Sequence, residues 1–360
     1  MCNERSGIIE ERKLNLPCHA VLLLACTSGL SADAAEDIVG AGATFPARLY
    51  GAWASAYEKS TGVRMAYEPA DSGVALERVH EYKVDFAGAE EPLPEHELAR
   101  TQLLQFPVIL DGAVPVINIR GIKPGQLKLN GCVLADIYLG RIRKWNDARI
   151  TDLNVGLPLP NTNITVVYRS DPTLTSRLWT HYLARCSHTW RTQVGISRAP
   201  RWPTGVGGFG DEGVASYIQR TRFAIGYLEY NYARKYQLDD IALRNPSGHF
   251  VRADPATLAA AAETAGWNGT IASRPLTTDA TGNPSWPLTE ASFVLIRTSG
   301  RPSRRTLEVL KFFNWVLHDG QSIALELGYV PVPKAVADKL SQSWGAVRDE
   351  AGRAIWPPDH

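Results

Sequence analysis

Apolar positions recur along this chain in two rhythms, and the alternation between them sets the fold class. Leu49, Trp53, Ala56 and Tyr57 fall at i, i+4, i+7 and i+8 while Arg48, Ser55 and Glu58 are left for water, which predicts an amphipathic helix beginning at about Pro46. Before it, Gly40-Ala-Gly-Ala-Thr-Phe-Pro46 reads as a sharp turn of small residues. Val63 to Tyr67 alternates like a strand, and a polar turn, Asp71-Ser72-Gly73, opens a second helical run through Leu76 and Val79. The scheme then repeats. A short strand, Val84 to Ala89, ends on Glu90-Glu91-Pro92; a helix follows from Glu95 to Gln105, then an apolar stretch from Val108 to Ile119. Farther on come a strand at Ile164 to Tyr168, a turn from Arg169 to Thr175, a helix from Ser176 to Ala184 and a buried strand at Ala224 to Leu228. A strand at Phe293 to Arg297 precedes a helix from Arg304 to His318, with Leu307, Leu310, Phe313 and Leu317 inward and Gly320 as its stop. Short strands alternating with helices predict an α/β protein with largely parallel sheets.

With 360 residues, 44% of them hydrophobic, the chain has room for two lobes. The apolar stretch Val108 to Ile119 carries it into the second lobe and Phe293 to Arg297 brings it back, and two crossings make a hinge. The expected division is 35–116 with 290–345 for lobe 1, 117–289 for lobe 2 and 346–360 for a tail. A formal net charge of +1 argues against nucleic acid or an acidic membrane surface as the main partner. At the front, Arg12 and Lys13 precede the apolar run Ala20 to Cys26, and Ala32-Asp33-Ala34 has the form of a cleavage site, so residues 1–34 read as a signal peptide. Leu23-Leu-Ala-Cys26 is a weaker match to a lipoprotein box. Cys132 and Cys186 stay with the exported chain and could pair in an oxidising compartment; the sequence leaves open whether they do. His181, Cys186 and His188 have no metal-ligand spacing. The glycines of Gly205 to Gly213 follow Trp202-Pro203 rather than a strand, which favours a turn opening the helix Val214 to Gln219 over a nucleotide loop.

Four strand ends carry compatible chemistry: Thr44 with Phe45, Ser72, Glu90, and Arg169 with Thr173 and Thr175. Ligands of open α/β sheets sit outside the carboxyl ends of the strands. Three of these turns open helices, whose free N–H groups and dipoles attract anions. Arg169 adds a fork suited to a tetrahedral oxyanion. Taken alone, the same residues also describe three capped helices and one surface arginine.

Several motifs in one order narrow the choice: Gly40 to Ala47, Val84-Asp-Phe86, Asp136 to Gly140 with Ile142 to Trp145, Trp202 to Gly208, Ala224 to Tyr230, and Leu310 to Trp315. Together they resemble the periplasmic phosphate-binding protein of the ABC-type phosphate transporter, from about Ile38 to Trp344. The resemblance implies a two-lobe class II periplasmic binding protein with a hinged cleft. It further implies phosphate held by Thr44, Phe45, Ser72, Glu90, Arg169, Thr173, Leu174 and Thr175. An exported, periplasmic monomer that captures inorganic phosphate and hands it to an ABC permease with its ATPase follows, with no enzyme activity, cofactor, metal or nucleic acid. The chain departs from the family at Glu90, where the family has Asp, and at Pro172 and Leu174, where it has glycines; Thr173 replaces a serine and Asp71 joins Ser72 in a shortened turn. These changes keep open an alternative: a drifted relative that binds another oxyanion, or phosphate weakly. No Gly-x-Ser-x-Gly or His-Glu-x-x-His spacing supports a hydrolase.

Overall fold

A computed structural model describes residues 37–264, 284–298, 304–349 and 351–357. The expected signal peptide, 1–34, lies outside the described residues, as do 265–283 of the expected second lobe. In chain order the first elements are β1 (Ile38–Gly42), α1 (Ala47–Thr61), β2 (Met65–Pro69), α2 (Ser72–His80), β3 (Phe86–Ala89), α3 (Glu95–Thr101) and β4 (Leu103–Ile117). Next come β5 (Lys128–Leu129), α4 (Gly131–Tyr138), α5 (Ala148–Thr151), β6 (Thr165–Arg169), α6 (Leu174–Cys186), α7 (His188–Gln193), β7 (Val206–Gly208) and α8 (Gly210–Arg220). They are followed by β8 (Ala224–Glu229), α9 (Tyr230–Lys235), β9 (Asp239–Asp240), β10 (Ala242–Arg244), β11 (Phe250–Val251) and α10 (Pro255–Thr264). The chain closes with β12 (Thr289–Arg297), α11 (Arg304–His318), α12 (Gln321–Glu326), β13 (Val330–Pro331) and α13 (Lys334–Ser343).

The main sheet runs β2-β1-β3-β12-β4-β8-β6-β7, with β9 and β13 also paired to β4. β1 is parallel to β2 and β3, and β6 to β7 and β8, but β12 is antiparallel to β3 and β4, and β4 to β8. The sheet is therefore mixed rather than largely parallel, because the two strands that join its halves run against their neighbours. β4 belongs to both halves: Leu103 to Gly112 pair with β12, and Ala113 to Ile117 pair with β8. A glycine at the switch is demanded by packing, since a Cβ on Gly112 would stand 2.5 Å from the Leu288 carbonyl oxygen. The helix expected to reach Gln105 stops at Thr101, because Gln102 turns left-handed (φ 52°) and Leu103 to Gln105 pair with β12 instead.

Gly40 and Gly42 are strand residues of β1, not the turn expected of them. A Cβ on Gly40 would fall 2.0 Å from the Phe86 ring, and one on Gly42 (φ 148°) 2.1 Å from the Gly88 oxygen, so these glycines let β1 and β3 close up. α1 packs Leu49, Tyr50, Trp53 and Tyr57 inward, and the buried Trp53 indole donates to the Gly320 carbonyl at 2.8 Å. The buried face of α11 is broader than expected: Val309, Phe312 and Val316 join Leu310, Phe313 and Leu317, while Leu307 is only half-buried. In the other half Trp179 stacks on Tyr227 at 4.7 Å. Cys132 and Cys186 form a disulfide between the start of α4 and the end of α6 across 54 residues. Closing a loop of that length in the unfolded chain contributes on the order of 4 kcal/mol in the chain-entropy account. Among the described residues no helix is long and apolar enough to cross a membrane.

Candidate functional site

Seven of the eight expected residues line one cavity of about 310 Å³: Thr44, Phe45, Glu90, Arg169, Thr173, Leu174 and Thr175. They arrive there because β1, β3 and β6 end at it and α1 and α6 begin at it. Ser72, the first residue of α2, lies instead on an adjoining cavity of about 490 Å³ that shares Thr44, Glu90 and Pro172. Its neighbour Asp71 is committed to capping, accepting from the Gly73 N–H at 2.8 Å. Leu174 lines the first cavity and a smaller one of about 200 Å³ with Leu178, Ile196 and Phe293, and the space between Thr44 and Arg169 stays open.

The turn after β1 is held from outside. The Tyr67 hydroxyl donates to the Ala43 carbonyl at 2.9 Å, and the Tyr329 hydroxyl to the Phe45 carbonyl at 3.0 Å, with the two rings edge to face at 5.3 Å. Pro46 occupies the cap position, its carbonyl accepting from the Tyr50 N–H at 2.9 Å, so the helix starts at Ala47. At α6 the Thr173 hydroxyl accepts from the Ser176 N–H at 3.0 Å and bonds the Ser176 hydroxyl at 3.0 Å. That hydroxyl is spent on the cap, and what remains at the open end of α6 is the pair of N–H groups of Leu174 and Thr175, which helix geometry leaves without intrahelical acceptors.

Arg169 is not the free fork the sequence suggested. It is 7% exposed, and its Nε and one terminal nitrogen donate to Asp171 at 3.0 and 2.6 Å while the other donates to Asp211 at 2.6 Å. Three of the five guanidinium N–H groups are thereby used, leaving two for a ligand. Burial works to raise the Asp171 carboxyl, but the Arg169 bonds and the Gly210 N–H hold it below its ordinary value. Asp211, more deeply buried, is pushed up despite Arg169. Asp171 and Asp211 are thus positioning residues that fix the guanidinium on the cavity wall.

Asp211, Glu229 and Glu290 also line the cavity, and none was foreseen in the sequence. Glu229 closes β8, Glu290 is the second residue of β12, and Asp111 stands opposite Glu290 on β4. The Thr175 hydroxyl, buried at 1% exposure, lies 3.3 Å from Glu229 Oε1 and 3.5 Å from Glu290 Oε1. Burial raises all these acids, together with their mutual repulsion: Asp111 goes up to about 8, and Glu229 and Glu290 rise well above the carboxylate range. Glu90 is raised too, chiefly by burial, with Arg198 at 3.8 Å pulling the other way. A signal for Asp111 existed: it is the one charge in the apolar run from Val108 to Ile119. Among the described residues no group of three or more His, Cys, Asp or Glu side chains is arranged to hold a metal ion.

A two-part α/β sheet joined by crossing strands, with a polar cavity where helix starts meet from both halves, is the architecture of a periplasmic-type solute-binding protein. Consistent with it, the model of the PBP superfamily domain matches residues 28–319. The chain is 42% identical over 323 residues to the phosphate-binding protein PstS of Pasteurella multocida, covering 89% of this chain and 94% of that protein. It is 44% identical over 310 residues to PstS of Haemophilus influenzae, covering 86% and 93%. In structure it is similar to a high affinity periplasmic phosphate-binding protein (PfluDING) bound with phosphate, with TM-score 0.60 and 19% identity over 86% of this chain and 94% of that one. An ABC-type phosphate transport receptor from Vibrio cholerae shares the fold at TM-score 0.52 and 20% identity, over 82% and 100%. The chain belongs to the PstS family of phosphate-binding proteins.

Proposed function

We propose that this protein captures inorganic phosphate in the cavity between Thr44 and Arg169 and delivers it to an ABC-type import permease with its ATPase. The observation that carries this reading is the meeting of two helix starts, the α1 turn and the α6 N-terminus, with the partly committed Arg169 guanidinium on one cavity. Such a constellation suits an oxyanion, and the family suits phosphate. Thr44, Phe45, Glu90, Arg169, Leu174 and Thr175 are the proposed contacts, with Thr173 acting through its cap and Ser72 from the adjoining cavity. The proposed lobes are 35–116 with 290–345 and 117–289, hinged where β4 changes partners. The protein works as an exported periplasmic monomer, a binder and not an enzyme.

Glu90 supplies the specificity. Hydrogen phosphate carries a proton that an ionised carboxylate can accept, whereas sulfate has none and would face the carboxylate as a like charge. Calorimetric titration of the purified protein with phosphate, arsenate and sulfate tests the reading. Phosphate and arsenate are expected to bind and sulfate not to, and Glu90→Ala is expected to narrow the phosphate-over-sulfate preference by about tenfold or more. Unchanged selectivity in that variant would remove Glu90 from this role, and absence of phosphate binding by the wild type would overturn the function.

A further inference from the structure

The floor of the cleft holds more acid than an anion site can tolerate in ionised form. β12, β4 and β8 are adjacent strands, and register places Glu290 directly opposite Asp111 and Glu229 opposite Ala113. Residues 111 and 113 of β4 share a face, so Asp111 has Glu290 beside it and Glu229 on the diagonal, and like charges directly opposite across a ladder repel. Thr175 sharpens the point. Its single hydroxyl hydrogen is all it can offer to Glu229 Oε1 at 3.3 Å and Glu290 Oε1 at 3.5 Å, so it satisfies at most one of these acids fully. Glu290 Oε2, in turn, is buried with no partner among the described residues.

The groups that face Glu290 come from every element around it. Glu90 and Glu91 follow β3, Asp111 is on β4, Arg169 ends β6, Arg177 and His181 are on α6, Asp211 opens α8 and Glu229 ends β8. The two arginines that share these cavities with it have other partners, Arg177 with Glu91 at 2.8 Å and Arg169 with Asp171 and Asp211. An ionised Glu290 would meet an incoming anion as a like charge.

We propose that Glu290 is a further phosphate-binding residue that meets the bound phosphate as a neutral carboxylic acid, its O–H donating a hydrogen bond to a phosphate oxygen. Ionisation of this acid weakens capture, so the cleft releases its anion as the proton leaves. The inference rests on the phosphate reading above. No covalent bond changes; the proton stays on the glutamic acid in the complex and goes to solvent when the site empties at high pH.

The test is calorimetric titration with inorganic phosphate of the wild type, Glu290→Gln and Glu290→Ala at about pH 6 and about pH 9.5. The amide of E290Q donates at every pH, and the ratio of wild-type to E290Q dissociation constants cancels the ionisation of phosphate itself. That ratio is expected near one at the lower pH and about tenfold or more at the higher, with the wild type the weaker binder. E290A, lacking any donor, is expected to bind more weakly than E290Q at both. As a measurement needing no variant, the carboxylic-acid infrared band of the wild type is expected to shift when phosphate is added. A ratio that stays constant between the two pH values, E290Q weaker than wild type at both, or an acid band indifferent to phosphate would each overturn the assignment. Failure of the wild type to bind phosphate at either pH would overturn the phosphate reading and this inference with it.

Discussion

Replacing Asp111 by Asn should change how stability depends on pH. Asp111 is 1% exposed; its Oδ1 accepts from the Gly112 N–H at 2.6 Å and the Tyr230 N–H at 2.8 Å, and Oδ2 has no partner among the described residues. Burial, reinforced by Asp211 and opposed by the backbone donors, lifts its carboxyl from the ordinary 3.8 to about 8. A raised acid keeps its proton in the folded state while the unfolded chain has lost it. The stabilisation is therefore fully present below the unfolded value, declines as pH rises between the two values, and is gone above the folded one. Within that window the decline from this one group approaches about 1.4 kcal/mol per pH unit. Asn accepts the same two N–H groups and has no proton to lose, so D111N removes this slope. An amide N–H without an acceptor adds a constant cost of about 1–3 kcal/mol, which does not vary with pH. Urea unfolding of both proteins without phosphate, between about pH 5 and pH 8, should show the variant gaining on the wild type by roughly 4 kcal/mol across the series. Parallel curves, or a variant that loses ground as pH rises, would refute the reasoning.

Two further outcomes follow from the geometry. Arg169→Lys keeps a charge but cannot hold Asp171 and Asp211 at once; leaving one buried carboxylate unpaired should cost about 3 kcal/mol in chemical unfolding and weaken phosphate binding about 100-fold by calorimetry. Reduction of the Cys132–Cys186 bridge should lower stability by about 4 kcal/mol in urea melts while leaving phosphate affinity nearly unchanged, because the bridge ties α4 to the far end of α6 and not to the cleft.

What could be read from the sequence was local. A polar turn between a strand and a helix is written in consecutive residues, and that is why Thr44, Phe45, Glu90, Arg169, Thr173 and Thr175 could be named; Leu174 came only with the family resemblance, and all seven stand on one cavity. Ser72 was named by the same logic and stands one cavity away. Residues placed by register were not legible. Glu290 precedes the strand core from which β12 was recognised, and only the pairing of β12 with β4 sets it against Asp111. Asp211 hid in a glycine-rich stretch whose helix begins at Gly210, four residues before the expected start, bringing its carboxylate to Arg169. Gly40 and Gly42 were misread because close packing of β1 on β3 asks for the same residue type as a turn does.

The strands whose mutual pairing was not legible in the sequence are also those that join the two halves of the sheet, and this ties two properties together. β12 is crossing and cavity lining at once, and β4 sets Asp111 directly opposite Glu290, so a proton on either acid belongs to the junction as much as to the anion site. Stripping that floor of protons both sets like charges against each other across the β4–β12 ladder and turns the floor against an anion. Stability and phosphate affinity should for that reason fall in the same direction as pH rises, and the neutral variants D111N and E290Q should each flatten the one they touch. A protein whose cleft was held only by helix dipoles and Arg169 would show no such common slope, because neither group titrates in the range where these acids do.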